Sequence, residues 1–204
     1  MRYEEFVRKT IEEFIQDGKD NGLDFPDIDL YADQAASFLN KRLSLFCEDE
    51  GEGVITKAMI GNYTKHNIIP HPIKKKYTKE HLMLLNMVYY LKGLFQMSEI
   101  ELLMAPIIEN YNSEFDEEMD LTAVCEGIVQ LQRKEREDLE QRVWTDVESI
   151  KKTLQDAGMS DDDMLEIFML IINLAVQADT KRYLARKLMK EYFSKIEKTK
   201  KDKK

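Results

Sequence analysis

"ITKAMIGNYTKHNIIPHPIKKKYTKEHL" (Ile55–Leu82) is the stretch on which the reading of this chain turns. From Val54 to Lys79 there are six lysines (Lys57, Lys65, Lys74, Lys75, Lys76 and Lys79) and no Asp or Glu, in a 204-residue chain whose formal net charge is −9. Carboxylates repel phosphate and reduce the counterion release that drives nucleic-acid binding, so their absence here is a functional signal. Thr56 is placed to cap a short helix running to about His66, and Asn67 stands where a left-handed C-terminal cap belongs. Pro70 and Pro72 keep 68–77 out of a helix and leave it extended or turned. Thr78 then opens another helix, with Glu80 in its first turn.

The segment 56–66 reads as the second helix of a helix-turn-helix. Ile60, with Met59 or Tyr63, anchors it. Lys57, Gly61, Asn62, Thr64 and Lys65 are left to face outward. Amides, hydroxyls and lysines are the groups that reach base edges and phosphates in a major groove. The triplet Lys74, Lys75 and Lys76 falls on a loop or short hairpin beside that helix, able to lean on a phosphate backbone. The expected DNA-binding residues are therefore Lys57, Asn62, Thr64 and Lys65 on the helix and Lys74, Lys75 and Lys76 on the wing. Tyr63 and Tyr77 are expected to pack, and His71 to stay at the surface.

Outward from this segment, helical periodicity dominates. Tyr3, Phe6, Val7, Ile11, Phe14 and Ile15 make one face of a first helix. A Gly-, Asp- and Pro-containing connector (20–29) leads to a second helix over about 30–46, with Tyr31, Ala35, Phe38, Leu39, Leu43 and Phe46 as its apolar stripe. "CEDEGEG" (47–53) breaks it. Gln96 and Glu99 form a loose capping box before "IELLMAPIIENY". From 113 to 157 the pattern fits two helices or one rod, with one seam at Leu121, Val124, Ile128 and Leu131 and another at Leu139, Val143, Val147, Ile150 and Leu154. Trp144 reads as local packing ahead of an anchor in a dimer seam. Phe168–Val176 is apolar nearly all round apart from Asn173. Met164–Ala178 is shorter than the ~20 residues of a membrane span and contains Glu166, so it reads as a buried helix. The core of a C-terminal bundle is the favoured place for it, ahead of a dimer interface or the wall of an effector pocket.

Other chemistries find little support. With 8 Gly and 4 Pro the chain is short of turn formers for an all-β fold. Cys47 and Cys125 have no partner at metal-ligand spacing and read as reduced thiols, with a disulfide between them as the alternative. His66, His71 and His81 share no metal face, so no metal and no cofactor are expected. No phosphate loop, nucleophile elbow or paired Cys motif is present, and the chain is not expected to be an enzyme. Acids interrupt the apolar pattern of the first 20 residues, so they do not read as a signal peptide, and a cytoplasmic location is expected.

Residues 54–104 resemble the winged-helix DNA-binding domain of MerR-type transcriptional regulators. Tyr63 matches the aromatic that ends the recognition helix, Asn67, Ile68, Ile69 and Pro70 match the turn after it, and Lys75 and Tyr77 match the wing. Phe95, Met97, Glu99 and Ile100 match the last turn. Gly61, Asn62 and Leu94 depart from that pattern, so base contacts do not carry over. The whole chain is also similar to an uncharacterised family of helical bacterial proteins known by a domain-of-unknown-function label and described as MerR-like. This resemblance implies a fold and a DNA-binding role without a target.

The expectation is an all-α protein, a MerR-like winged helix-turn-helix with an additional N-terminal helix and a C-terminal helical bundle. Residues 1–110 would hold the first helix and the DNA-binding domain (core about 30–110), and 111–204 a helical dimerisation or effector region. The expected function is that of a DNA-binding transcriptional regulator acting on double-stranded DNA as a homodimer, without a membrane partner. A small-molecule effector is compatible with it and needs a closed apolar pocket near Phe168–Val176. The rival is a helical protein–protein interaction module with a degenerate helix-turn-helix.

Overall fold

Scarce turn formers and abundant Glu, Lys, Leu and Met give a chain that is helical almost throughout. The structure, a computed structural model, describes residues 3–19, 24–43, 54–112, 121–159 and 162–201. These form α1 (Tyr3–Lys19), β1 (Leu30–Tyr31), α2 (Ala32–Arg42), α3 (Lys57–Lys65), β2 (Lys76–Tyr77), α4 (Lys79–Lys92), α5 (Met97–Asn112), α6 (Leu121–Glu137), α7 (Leu139–Asp156) and α8 (Asp163–Lys201). The all-α class is thus realised, with one small antiparallel pair in which Leu30 lies opposite Tyr77 and Tyr31 opposite Lys76. Phe46, Cys47 and the acidic break at 47–53 lie outside the described residues.

The chain divides into two compact units, Asp20–Ile128 with Arg186–Lys204, and Met1–Lys19 with Val129–Ala185. In the first, Leu39 of α2, Ile60 of α3, Leu82, Leu84 and Leu85 of α4 and Ile100 of α5 close one apolar core. Helix α2 begins two residues later than its apolar stripe suggests, because Leu30 and Tyr31 enter the strand pair instead. Tyr31 becomes the residue before the helix, its N–H donating to Gln34 Oε1 at 2.9 Å, and the residue is 52% exposed rather than on the core stripe. The Gln96–Glu99 cap forms as expected, with Gln96 N–H donating to Glu99 Oε2 at 3.0 Å. Cys125 is a free, buried thiol, and burial pushes its pKa up to about 11, which keeps it protonated and unreactive.

In the second unit α1 packs with α7 and α8 through Tyr3, Val7, Ile11, Val143, Val147, Ile150, Leu154 and Leu170. The α7 stripe is therefore the expected one. Two groupings differ from expectation. Helix α1, grouped in the sequence reading with residues up to 110, buries Tyr3, Val7 and Ile11 in the cluster with α7 while Phe6 and Phe14 of its expected apolar face stay exposed, and the Lys151 ammonium pairs with Glu4 beside that cluster. The run Phe168–Val176, read as a buried bundle core, is instead open: Phe168, Ile171, Ile172, Leu174 and Val176 are all exposed. Only one side of α8, marked by Leu170 and Glu166, is covered here. Among the described residues the side chains of Phe168, Ile171, Ile172, Leu174 and Val176 do not line a closed pocket. Trp144 packs locally, under the Arg8 guanidinium at 5.1 Å.

One histidine joins the loop before β2 to α4. His81 is the third residue of α4 and is 1% exposed. Its Nδ1 accepts from Thr78 N–H at 3.2 Å, and its Nε2 lies 3.3 Å from the His71 carbonyl oxygen. These partners require the neutral ring with its proton on Nε2. Burial lowers the His81 pKa, against the opposing pull of the His71 carbonyl and of Glu80. The unfolded chain then takes up this proton more readily than the folded one. The stability His81 supplies is complete above about pH 6.5, the ordinary histidine value. It is lost as pH falls below that value, by at most about 1.4 kcal/mol per pH unit. His81→Gln retains a donor towards His71 but does not titrate. Urea unfolding between about pH 7.5 and 5.5 should show a steeper acid loss for the wild type than for H81Q, and parallel profiles would refute the role of this ring.

Candidate nucleic-acid interface

The start of α3 is fixed by side chains from two other helices. Asn40 of α2 accepts from Ile55 N–H through Oδ1 at 2.8 Å and donates from Nδ2 to Ile55 O at 3.0 Å. Lys92, at the end of α4, donates to Val54 O at 2.7 Å. Thr56 then caps α3, its Oγ1 accepting from Met59 N–H at 3.2 Å. With its entry held in this way, α3 turns Ile60, Tyr63 and Thr64 inward. Lys57, Ala58, Gly61, Asn62 and Lys65 form an exposed stripe without a carboxylate.

Thr64 leaves the candidate set. It is 8% exposed, and its hydroxyl donates to Ile60 O at 3.0 Å within its own helix. A side chain satisfied and covered in this way cannot reach a groove. The spacing of 3 and 4 from Ile60 and its neighbours was the available signal, since Thr64 follows Ile60 by one helical turn.

The end of α3 is a Schellman cap, with Ile68 N–H donating to Tyr63 O at 2.9 Å and Asn67 N–H to Thr64 O at 3.1 Å. Asn67 adopts φ 53°, as its place after the helix predicts. The chain reverses there, and Ile68 and Ile69 enter the core at 0% exposure. It then forms a tight hairpin, in which Ile73 and Lys76 exchange both backbone hydrogen bonds at 3.0 and 2.9 Å. Lys74 and Lys75 are its two tip residues, with φ 50° and 68°. Consecutive left-handed residues define a type I′ turn, for which Asn-Gly is the favoured sequence. A non-glycine residue in that region costs about 1–2 kcal/mol.

The hairpin and α3 meet at the first turn of α2. The Lys76 ammonium lies 5.7 Å from the centroid of the Tyr31 ring, while Lys57 Nζ is 3.0 Å from Asp33 Oδ2. Two carboxylates from outside the acid-free segment therefore touch its edges, since His66 Nδ1 is also 2.8 Å from Glu101 Oε1. Both pairs are exposed, and exposed pairs contribute about 0–1 kcal/mol and yield readily to a competing phosphate. Of the seven expected residues, Lys57, Asn62, Lys65, Lys74 and Lys75 are exposed, Lys76 is half-buried at the hairpin base, and Thr64 is buried. Sequence reading missed Tyr31, Asp33, Asn40 and Lys92, all of which act across gaps in sequence that local periodicity does not bridge.

Gly61 adds a further observation. A Cβ built on it meets nothing within 4 Å, so the fold itself does not require a glycine. Its presence in mid-helix costs about 1 kcal/mol relative to alanine. Stability is thus conceded at Gly61, Lys74 and Lys75, all three on exposed sites of this segment.

A protein-family model described as "Domain of unknown function (DUF1836)" matches residues 21–124, just over half of the 204 residues. It takes in α2, α3, the hairpin, α4 and α5. No curated protein and no solved structure matches the chain.

The strain at the hairpin tip has a measurable consequence. K74N/K75G should raise the unfolding free energy by about 1–2 kcal/mol, and Gly61→Ala by about 1 kcal/mol. Chemical denaturation checks both, and unchanged midpoints would mean that neither site holds back stability.

Proposed function

This chain belongs to the DUF1836 family, whose label assigns no activity, and on its own surface we propose that it is a DNA-binding transcriptional regulator of the MerR-like winged helix-turn-helix type, acting in the cytoplasm. In this reading α2 and α3 are the helix-turn-helix pair, α3 enters the major groove, and the hairpin is the wing. The observation that carries it is the meeting of the acid-free α3 stripe and the lysine-tipped hairpin at the first turn of α2, where Lys57 and Lys76 both arrive.

The division of labour follows from side-chain chemistry. Asn62 presents an amide able to pair with a base edge, and Gly61 lets the helix backbone approach closely. Lys57 and Lys65 at the two ends of α3 suit phosphates on either side of a groove. Lys74 and Lys75 sit at a tip whose left-handed geometry spreads two ammonium groups from one narrow turn. Lys76 supports them from the hairpin base against Tyr31. Two copies of the chain would read two half-sites and supply the specificity that one short helix lacks. The acidic remainder of the chain disfavours other orientations on a polyanion.

The engagement of Lys57 by Asp33 and of His66 by Glu101 favours a second reading, a helical protein–protein interaction module on a degenerate helix-turn-helix. Salt dependence separates the two. Genomic fragments captured by the purified protein at two salt concentrations and sequenced should be enriched in one palindromic site. K74E/K75E/K76E should weaken retention of all fragments alike, and the slope of log affinity against log salt should flatten by about 0.9 for each phosphate that the variant no longer neutralises. Equal retention by wild type and variant, or none by either, would leave the interaction module.

A further inference from the structure

Helix α8 carries two apolar faces over 163–178, and the described residues cover only one. Leu170 and Glu166 face inward. On the opposite side Met164 is 74% exposed, Phe168 57% and Ile171 60%, and Ala175 and Ala178 continue the exposed line. These five residues recur at steps of 4, 3, 4 and 3, the a/d repeat of a coiled-coil seam. Ile172 and Leu174, also exposed, flank the line and widen it. The outward face of α7 shows that this is not general to the unit, since its exposed residues, Glu148, Ser149, Lys152, Gln155 and Asp156 among them, are all polar.

Side-chain size along the seam indicates its occupant. The order is large, large, medium, small, small. Against a parallel copy, Phe168 would crowd Phe168 at one end while alanine faced alanine across a gap at the other, and close packing tolerates neither. Against an antiparallel copy centred on Ile171, Met164 faces the partner's Ala178 and Phe168 the partner's Ala175. The seam is complementary to itself in that direction alone. Charge agrees. Asp162 and Asp163 stand at one end and Asp179, Lys181 and Arg182 at the other, so antiparallel pairing sets the acidic end beside the end that holds both bases, with Asp163 opposite Asp179 as a like pair, and parallel pairing sets Asp162 and Asp163 beside their own copies. Their bonds within the chain, such as Lys181 to Glu135 at 3.2 Å, are exposed and leave them accessible. An anionic lipid surface would want bases along the edges of the apolar face, whereas Asp162, Asp163 and Asp179 lie along this one.

We infer that Met164, Phe168, Ile171, Ala175 and Ala178 form the interface of an antiparallel homodimer. This gives a place to the pairing of copies in the functional reading, but rests on α8 alone and does not require DNA. Sedimentation equilibrium of the full chain should return twice the chain mass. F168E and, separately, I171E should return the monomer mass with unchanged helical circular dichroism, because both side chains are already exposed in the single chain. Orientation is read by cysteine pairing in a C47S/C125A background: a mixture of M164C and A178C chains should form mixed disulfide-linked dimers, and M164C alone should not. A wild-type monomer at every concentration, self-linkage of M164C, or a monomer that co-sediments with phosphatidylglycerol vesicles would each overturn the inference, the last in favour of a lipid occupant. A dimer that retains no DNA would uphold it while removing the regulator reading.

Discussion

One amide fixes the geometry on which the rest of the first unit depends. Asn40 offers Ile55 a donor and an acceptor in the arrangement a neighbouring strand would offer, at 2.8 and 3.0 Å, in a place where no strand runs among the described residues. Removing it would strand a backbone N–H and a carbonyl at a residue only 1% exposed, at about 1–3 kcal/mol for each unsatisfied group. Once Ile55 is held against α2 and Val54 against the end of α4, α3 has a single way to bury Ile60 and Tyr63. Its outward stripe is the geometric remainder of that choice. The lysines at its ends are thus aimed by packing on the other side of the helix, and Lys57 reaches the first turn of α2 because α3 starts where it does.

The hairpin is positioned by a different device. Asn67 reverses the chain, Ile68 and Ile69 anchor it, and His81 holds the His71 carbonyl while completing the cap of α4. A neutral ring makes both bonds in a buried place, where a charged group would bear a large desolvation cost. Lys74 and Lys75 then occupy a turn that local preference would give to Asn and Gly. Local and global preferences agree through most of this segment and part company at Gly61 and at the hairpin tip, and such disagreements collect where a surface answers to something outside the fold.

Much of this was legible because the signals are local. Thr56, Asn67, Thr78 and the Gln96–Glu99 pair mark helix ends within three or four residues of themselves, and each marks an end in the structure. The α7 seam was legible for the same reason, since its period is internal to one helix. What escaped depended on partners distant in sequence. Tyr31 has the apolar character of its stripe but pairs with Lys76, 45 positions on. Asn40 looks like any polar residue on an exposed helix face until Ile55 is beside it. Thr64 carries the chemistry of a groove-reading residue, yet its spacing from Ile60 places it inward, and position outweighs chemistry. Allegiance of α1 to α7 was invisible for a related reason: an amphipathic stripe states that a face must be covered and does not say by which element.

Helix α8 takes that last point furthest. A run apolar on all sides reports how much surface must leave water, and the sequence reading assigned the whole of that burial to one chain. In the structure the described residues cover the Leu170 side and leave Met164, Phe168 and Ile171 open, while Ala175 and Ala178 stay small where a monomeric surface would tolerate any polar residue. Small size has no advantage in open water, and mid-helix alanine with no neighbour gains only its helix propensity. It gains more where another helix must come close. The taper from phenylalanine to alanine along one exposed line is then explained by a copy of the same taper running the other way, and an apolar helix face that is incomplete in one chain becomes complete in two.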